Sequence, residues 1–129
     1  MENEDGGDTP AWAAFGATVR KAREGLAARD PAAFTLRRVA AASGIEPTWL
    51  SRIERGLAAP PGEERIRRLA QVLGWDADVL LALAGKVSAD LRQAILRRPE
   101  LFARLIRELN ALPDHAILRL VREVRDGDW

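Results

Sequence analysis

The chain is predicted to be all-α, with a five-helix unit followed by three further helices. Apolar residues recur three and four positions apart along most of its 129 residues, and no stretch alternates with the period of a strand. Capping residues stand ahead of these apolar runs, and glycines close them. The same signals divide the chain into an acidic N-terminal tail (1–9), a main helical domain (10–85) and a C-terminal helical unit (86–129).

Residues 1–9 carry Glu2, Glu4, Asp5 and Asp8, have little to bury, and are expected to be disordered. Thr9 and Pro10 then form a cap and a favoured first-turn residue. Trp12, Phe15, Val19, Ala22 and Leu26 follow at helical spacing, so helix one is expected from Pro10 to Leu26. A loop over Ala27–Phe34 leads to Thr35, which caps helix two, running to Ser43. Helix three is expected over Glu46–Arg55, entered through Pro47 and stopped by Gly56.

Pro60 and Pro61 stiffen the connector to helix four, Glu63–Leu73, which places Ile66, Leu69, Ala70 and Leu73 inward. Asp76 caps helix five, with Val79, Leu80 and Leu83 inward and Gly85 as terminator. Beyond it Ser88 caps a helix to Arg97, Pro99 opens another, and Pro113–Asp114 begins a last one closed by Gly127.

The segment TLRRVAAASGIEPTWLSRIERG, Thr35–Gly56, carries the functional signal. Ala40 and Gly44 stand four apart, where two helices cross closely and the turn needs a residue that accepts a positive φ. On the second helix of the pair, Leu50, Ile53 and Leu57 are expected on an inner face and Thr48, Arg52 and Arg55 on an outer one. A rigid helix pair presenting threonine and arginine outward has the geometry of a major-groove reader, so double-stranded DNA is the expected partner.

Charge agrees in its distribution more than in its sum. The net charge is only +1, but over Ala11–Pro60 eight basic residues face four acidic ones, leaving +4 on the segment that holds the motif. On charge alone, a solvated arginine surface reads equally well. Cysteine is absent, which removes disulfides, thiolate metal sites and a cysteine nucleophile. No apolar run approaches the roughly 20 residues of a membrane span, and the acidic start is unlike a signal peptide; no membrane role and a cytoplasmic location are expected.

These residues resemble the lambda-repressor/Cro-type, or Xre-like, helix-turn-helix regulators. The likeness covers about Trp12 to Gly85 and rests on LRRVAAASGIEPTWLSRIERG and ERIRRLAQVLGWDADVLLAL. It implies a five-helix domain whose third helix enters the major groove, usually as a homodimer on a two-fold operator. Carried over by position, it implies Pro47, Thr48 and Arg52 for base reading, with Arg52 suited to bind guanine O6 and N7 together. It implies Arg37, Arg38, Trp49, Ser51 and Arg55 at the DNA backbone, and a structural pair, Arg23 with Glu54, that supports the reading helix together with Gly44. Trp49 reads at least as well as a packing residue.

Three departures from the family pattern lower the expected affinity. Leu36 stands where relatives often open helix two with a phosphate-binding glutamine. Leu57, Ala58 and Ala59 are uncharged where relatives often carry basic residues. The loop Ala27–Phe34 is longer than usual.

The C-terminal unit carries Leu101, Phe102, Leu105, Ile106, Leu109, Ile117, Leu120, Val121 and Val124, more large aliphatics than three short helices cover alone. They are expected at a dimer or partner interface; packing back onto the first five helices is the alternative. Trp75 and Trp129 are expected to pack, although Trp129 reads equally well as an interface anchor or as exposed.

No catalytic residues, cofactor or metal are expected. The single histidine, His115, adjoins Asp114, and neighbouring helical residues point apart, so the two do not form a base and its orienter. There is no phosphate-binding loop, dinucleotide fingerprint or cluster of metal ligands. Three roles compete: a repressor, an antitoxin whose C-terminal helices cap a toxin, and an interaction module without DNA binding. The resemblance adds a regulatory metallopeptidase as a further protein partner.

Overall fold

The computed structural model describes the backbone of residues 2–129 and side chains from Ala11 onward. Among the described residues it contains eight helices and no strand: α1 (Glu2–Ala27), α2 (Leu36–Ser43), α3 (Pro47–Glu54), α4 (Glu63–Leu73), α5 (Ala77–Leu83), α6 (Ala89–Arg97), α7 (Pro99–Asn110) and α8 (Asp114–Asp126). The acidic tail expected over 1–9, and the helix start expected at Thr9–Pro10, fall on residues whose side chains lie outside those described. The chain forms two compact units, 1–88 and 89–129.

In the first unit α1 packs on α3, α2 on α3 and α4, and α4 on α5. Phe15, Val19, Val39, Leu50, Ile53, Ile66, Leu69 and Leu81 are fully buried at the centre. Each contributes about 2 kcal/mol of apolar burial, and together they are the main attraction between α1–α5. Local signals set the helix ends. The Thr35 hydroxyl accepts from the Arg38 N–H at 3.1 Å, and Asp76 Oδ1 accepts from the amides of Asp78 (2.8 Å) and Val79 (3.2 Å).

Two inner faces differ from the periodic reading. In α5 the buried pair is Leu80 and Leu81, while Val79 is 49% exposed. With seven residues α5 makes only two turns, and the face toward the core is centred between 80 and 81 and flanked by Ala77 and Ala84. Leu57 is exposed and lies beyond the end of α3. The chain reverses at Gly56, and the Leu57 N–H bonds back to the Arg52 carbonyl at 2.8 Å, so residue 57 does not extend the inner face of Leu50 and Ile53.

The second unit contains no buried side chain in α6, α7 or α8. Leu105, Leu109, Ile117, Leu120, Val121 and Val124 line an apolar groove of about 470 Å³ between α7 and α8. Leu101, Ile106 and Leu118 are also more than half exposed. Of the readings open for Trp129, the exposed one holds: it is 90% exposed, with its indole N–H donating to the Val124 carbonyl.

Candidate nucleic-acid interface

The turn between α2 and α3 is built from backbone geometry. Gly44 ends α2 at φ 71°, a conformation that side chains on Cβ disfavour, and this lets the Ile45 N–H reach back to the Ala40 carbonyl at 2.9 Å. Ile45 then turns into the core, and the buried Ser43 hydroxyl is satisfied by the Val39 carbonyl at 2.8 Å. Glu46 precedes α3 without a side-chain cap, and Pro47 at the first helical position removes one amide that would otherwise need a partner.

This entry fixes the rotation of α3. Leu50 and Ile53 face inward with no exposure, while Thr48, Arg52 and Arg55 are exposed, and Pro47 and Ser51 lie half-buried between the two faces. Thr48, Trp49 and Arg52 share a shallow depression with Glu46 and Ala58. The Arg52 guanidinium donates from Nη2 to the Leu57 carbonyl at 3.1 Å, which steadies the long side chain along the end of the helix. Arg55 caps α3, its Nε 3.3 Å from the Ser51 carbonyl. Arg37 and Arg38 are exposed on the first turn of α2.

Helix α3 is held from behind by a bidentate pair. Arg23 of α1 donates from Nε to Glu54 Oε2 at 2.8 Å and from Nη2 to Oε1 at 3.0 Å. The side chains are only 14% and 4% exposed. The hydrogen bond that Arg23 donates to Glu54 raises its pKa above its already high ordinary value, against the opposing cost of burial, so the guanidinium stays charged at any working pH. Its Nη1 also donates to the Phe34 carbonyl at 3.3 Å, tying down the end of the long loop before α2. Three segments therefore meet on one guanidinium.

Leu36 is half-buried against the core and shares a small depression with Arg20, Ser51 and Arg55. Leu36, the departure from the family pattern at the start of α2, thus joins an arginine-bordered edge between α1, α2 and α3. Arg20 itself is paired with Glu24 at 3.0 Å, with both side chains about half exposed, so this pair contributes little to stability.

Two residues that shape the site were not singled out from the sequence. Arg65 of α4 donates to the Gly44 carbonyl at 2.8 Å, and its guanidinium lies 5.8 Å from the centre of the Trp49 ring. It braces the turn and the half-buried indole together. Its setting, Glu-Glu-Arg-Ile-Arg-Arg, reads as a solvated helical face and carries no signal of that role. Gly16 is the other: a Cβ there would fall on the carbonyl oxygen of Ile53. A glycine inside an apolar helical run is a legible sign of close backbone approach.

Among the described residues no helix is long and apolar enough to cross a membrane, and no group of three or more histidine or acidic side chains is arranged to hold a metal ion. No curated protein and no solved structure matches the chain. The family model for the helix-turn-helix domain matches residues 14–83, more than half of the chain, from the middle of α1 to the end of α5. Its match spans the Gly44 turn, the exposed face of α3 and the Arg23–Glu54 support. The chain therefore belongs to the helix-turn-helix domain family, carrying a DNA-binding domain consistent with the lambda-repressor/Cro type.

Proposed function

We propose that the protein is a sequence-specific transcriptional repressor, acting in the cytoplasm as a homodimer on a two-fold operator and having no catalytic activity of its own. The observation that carries this reading is the division of α3: Leu50 and Ile53 are locked in the core while Thr48 and Arg52 stand outward on one face. In this reading Pro47, Thr48 and Arg52 meet base edges, and Arg37, Arg38, Trp49, Ser51 and Arg55 meet the sugar-phosphate backbone. Arg23, Glu54 and Gly44 hold the helix in position.

The test is Arg52→Ala at a cognate site. A lost bidentate contact to guanine costs about 1–3 kcal/mol and relaxes preference at one base pair of each half-site. Competition binding with single-base operator variants measures both effects. Unchanged affinity and unchanged preference would remove Arg52 from base reading.

Dimerisation is assigned to the second unit. Ordering a residue costs about 1–2 kcal/mol of backbone entropy, and helices without buried side chains have little to offset it until a partner covers them. The apolar groove and the exposed aliphatics beside it fit a second copy of the same surface. With only Arg37, Arg38, Arg52 and Arg55 assigned to the duplex in each subunit, one copy binds weakly, and two copies on one duplex gain avidity. Leu105→Glu with Val121→Glu in the full chain is expected to give a monomer by light scattering and to lower operator affinity sharply. A double variant that remains dimeric would contradict the assignment.

The same uncovered strip supports a second reading, an antitoxin whose α7 and α8 hold a toxin. That reading predicts a wild-type chain that is monomeric alone and forms a stable complex with the product of a neighbouring gene.

A further inference from the structure

We propose that the depression beside Trp75 binds a small amphipathic carboxylate, an aromatic or medium-chain acid. The depression lies wholly within the α1–α5 unit, between the second half of α1 and the turn joining α4 to α5, and has a volume of about 600 Å³. That falls within the range of small-molecule sites, about 300–1,000 Å³.

Its chemistry is two-sided. Ala22, Leu26 and Leu73 give an apolar floor continuous with the core, and Trp75, 36% exposed, offers a ring against which an apolar body can stack. Lys21 and Arg29 also line the depression, and no Asp or Glu does. Neither cation has an ion-pair partner among the described residues, whereas Arg20 and Arg23 on the other side of α1 are paired with Glu24 and Glu54. An uncompensated double positive charge over an apolar floor is complementary to an acid with an apolar body.

Gly25 supplies an independent observation. A glycine inside a helix is destabilising relative to alanine, yet a Cβ on Gly25 would meet nothing within 4 Å. No packing contact requires it, and its local effect is to keep the depression open. Residues 18, 21, 22 and 25 form one stripe of α1, opposite Arg20 and Arg23, and Arg29 stands in the turn just beyond the helix end. An occupant there leaves the outer face of α3 clear for a duplex.

The test is a titration of the full chain, followed by amide and indole NMR shifts, with indole-3-acetate and octanoate as probes. Tryptophol, the neutral counterpart of an indole acid, is the control. The probes run to about 5 mM, which detects dissociation constants near 1 mM. The expected result is saturable shifts at the Gly25 amide and the Trp75 indole N–H, with indole-3-acetate binding about fivefold tighter than tryptophol. Lys21→Ala with Arg29→Ala removes that preference, and Gly25→Leu, which fills open space, abolishes the shifts while core resonances stay in place. No saturable shift with either acid, equal affinity for tryptophol, or shifts that survive Gly25→Leu would each overturn the proposal.

Discussion

Gly16→Ala is expected to lower stability by about 3 kcal/mol, the reverse of what a glycine-to-alanine change inside a helix ordinarily does. Alanine is the better helix former, so on propensity alone the substitution stabilises. Here α1 crosses α3 at Gly16, and an added methyl group would fall on the Ile53 carbonyl oxygen, with the carbonyl carbons of Ile53 and Glu54 at 3.0 and 3.1 Å. All three are backbone atoms of α3, so no side chain can rotate away. Either α1 shifts outward, opening the core around the fully buried Phe15 and Val19, or α3 moves and carries Arg52 with it. Gly25→Ala in the same helix is the internal control: its Cβ meets nothing, and it is expected to stabilise by about 0.5–1 kcal/mol. Urea unfolding of the two variants gives opposite signs if the crossing is as described. Equal, stabilising shifts would mean that α1 and α3 do not approach at Gly16.

Glu54→Ala is expected to cost about 3 kcal/mol, more than most single substitutions in this chain. Removing the carboxylate leaves Arg23, 14% exposed, as a charge with little water and only the Phe34 carbonyl for a partner. The cost comes chiefly from the orphaned guanidinium, and only in part from the lost attraction. Replacing both partners by apolar residues, Arg23→Met with Glu54→Leu, should therefore recover most of the stability. If Arg23 and Glu54 also position α3, the double variant will melt near the wild type and yet bind DNA less well, because nothing fastens the loop end at Phe34 to α3. A double-mutant cycle on stability and on DNA affinity separates the two effects. Additive single substitutions would show that the pair acts as two independent surface groups.

The helices and their order were legible because their signals are local. Thr35, Gly44, Pro47, Gly74 and Asp76 each do their work within a turn of where they stand, and the buried positions of α2, α3 and α4 follow the 3.6-residue period. What escaped the sequence depends on distances between segments. Arg65 reaches a carbonyl 21 positions away, and no pattern around it records that destination. Val79 and Leu81 exchange places because a two-turn helix has too few residues for its period to define a face. Leu57 continues the inner stripe by spacing, but the helix stops before it. Gly16 was readable in kind, as a glycine among apolar helical residues, though its partner on α3 was not.

The central claim is that the outward face of α3 distinguishes one duplex sequence from another. Incubating the purified full chain with fragmented genomic DNA at low ionic strength, then sequencing the retained fragments against an excess of random competitor, tests it most directly. The account predicts a small set of enriched fragments sharing a two-fold motif, with one conserved base pair in each half-site losing its preference when Arg52 is replaced by alanine. Fragments retained in proportion to their abundance, with no shared motif, would contradict it.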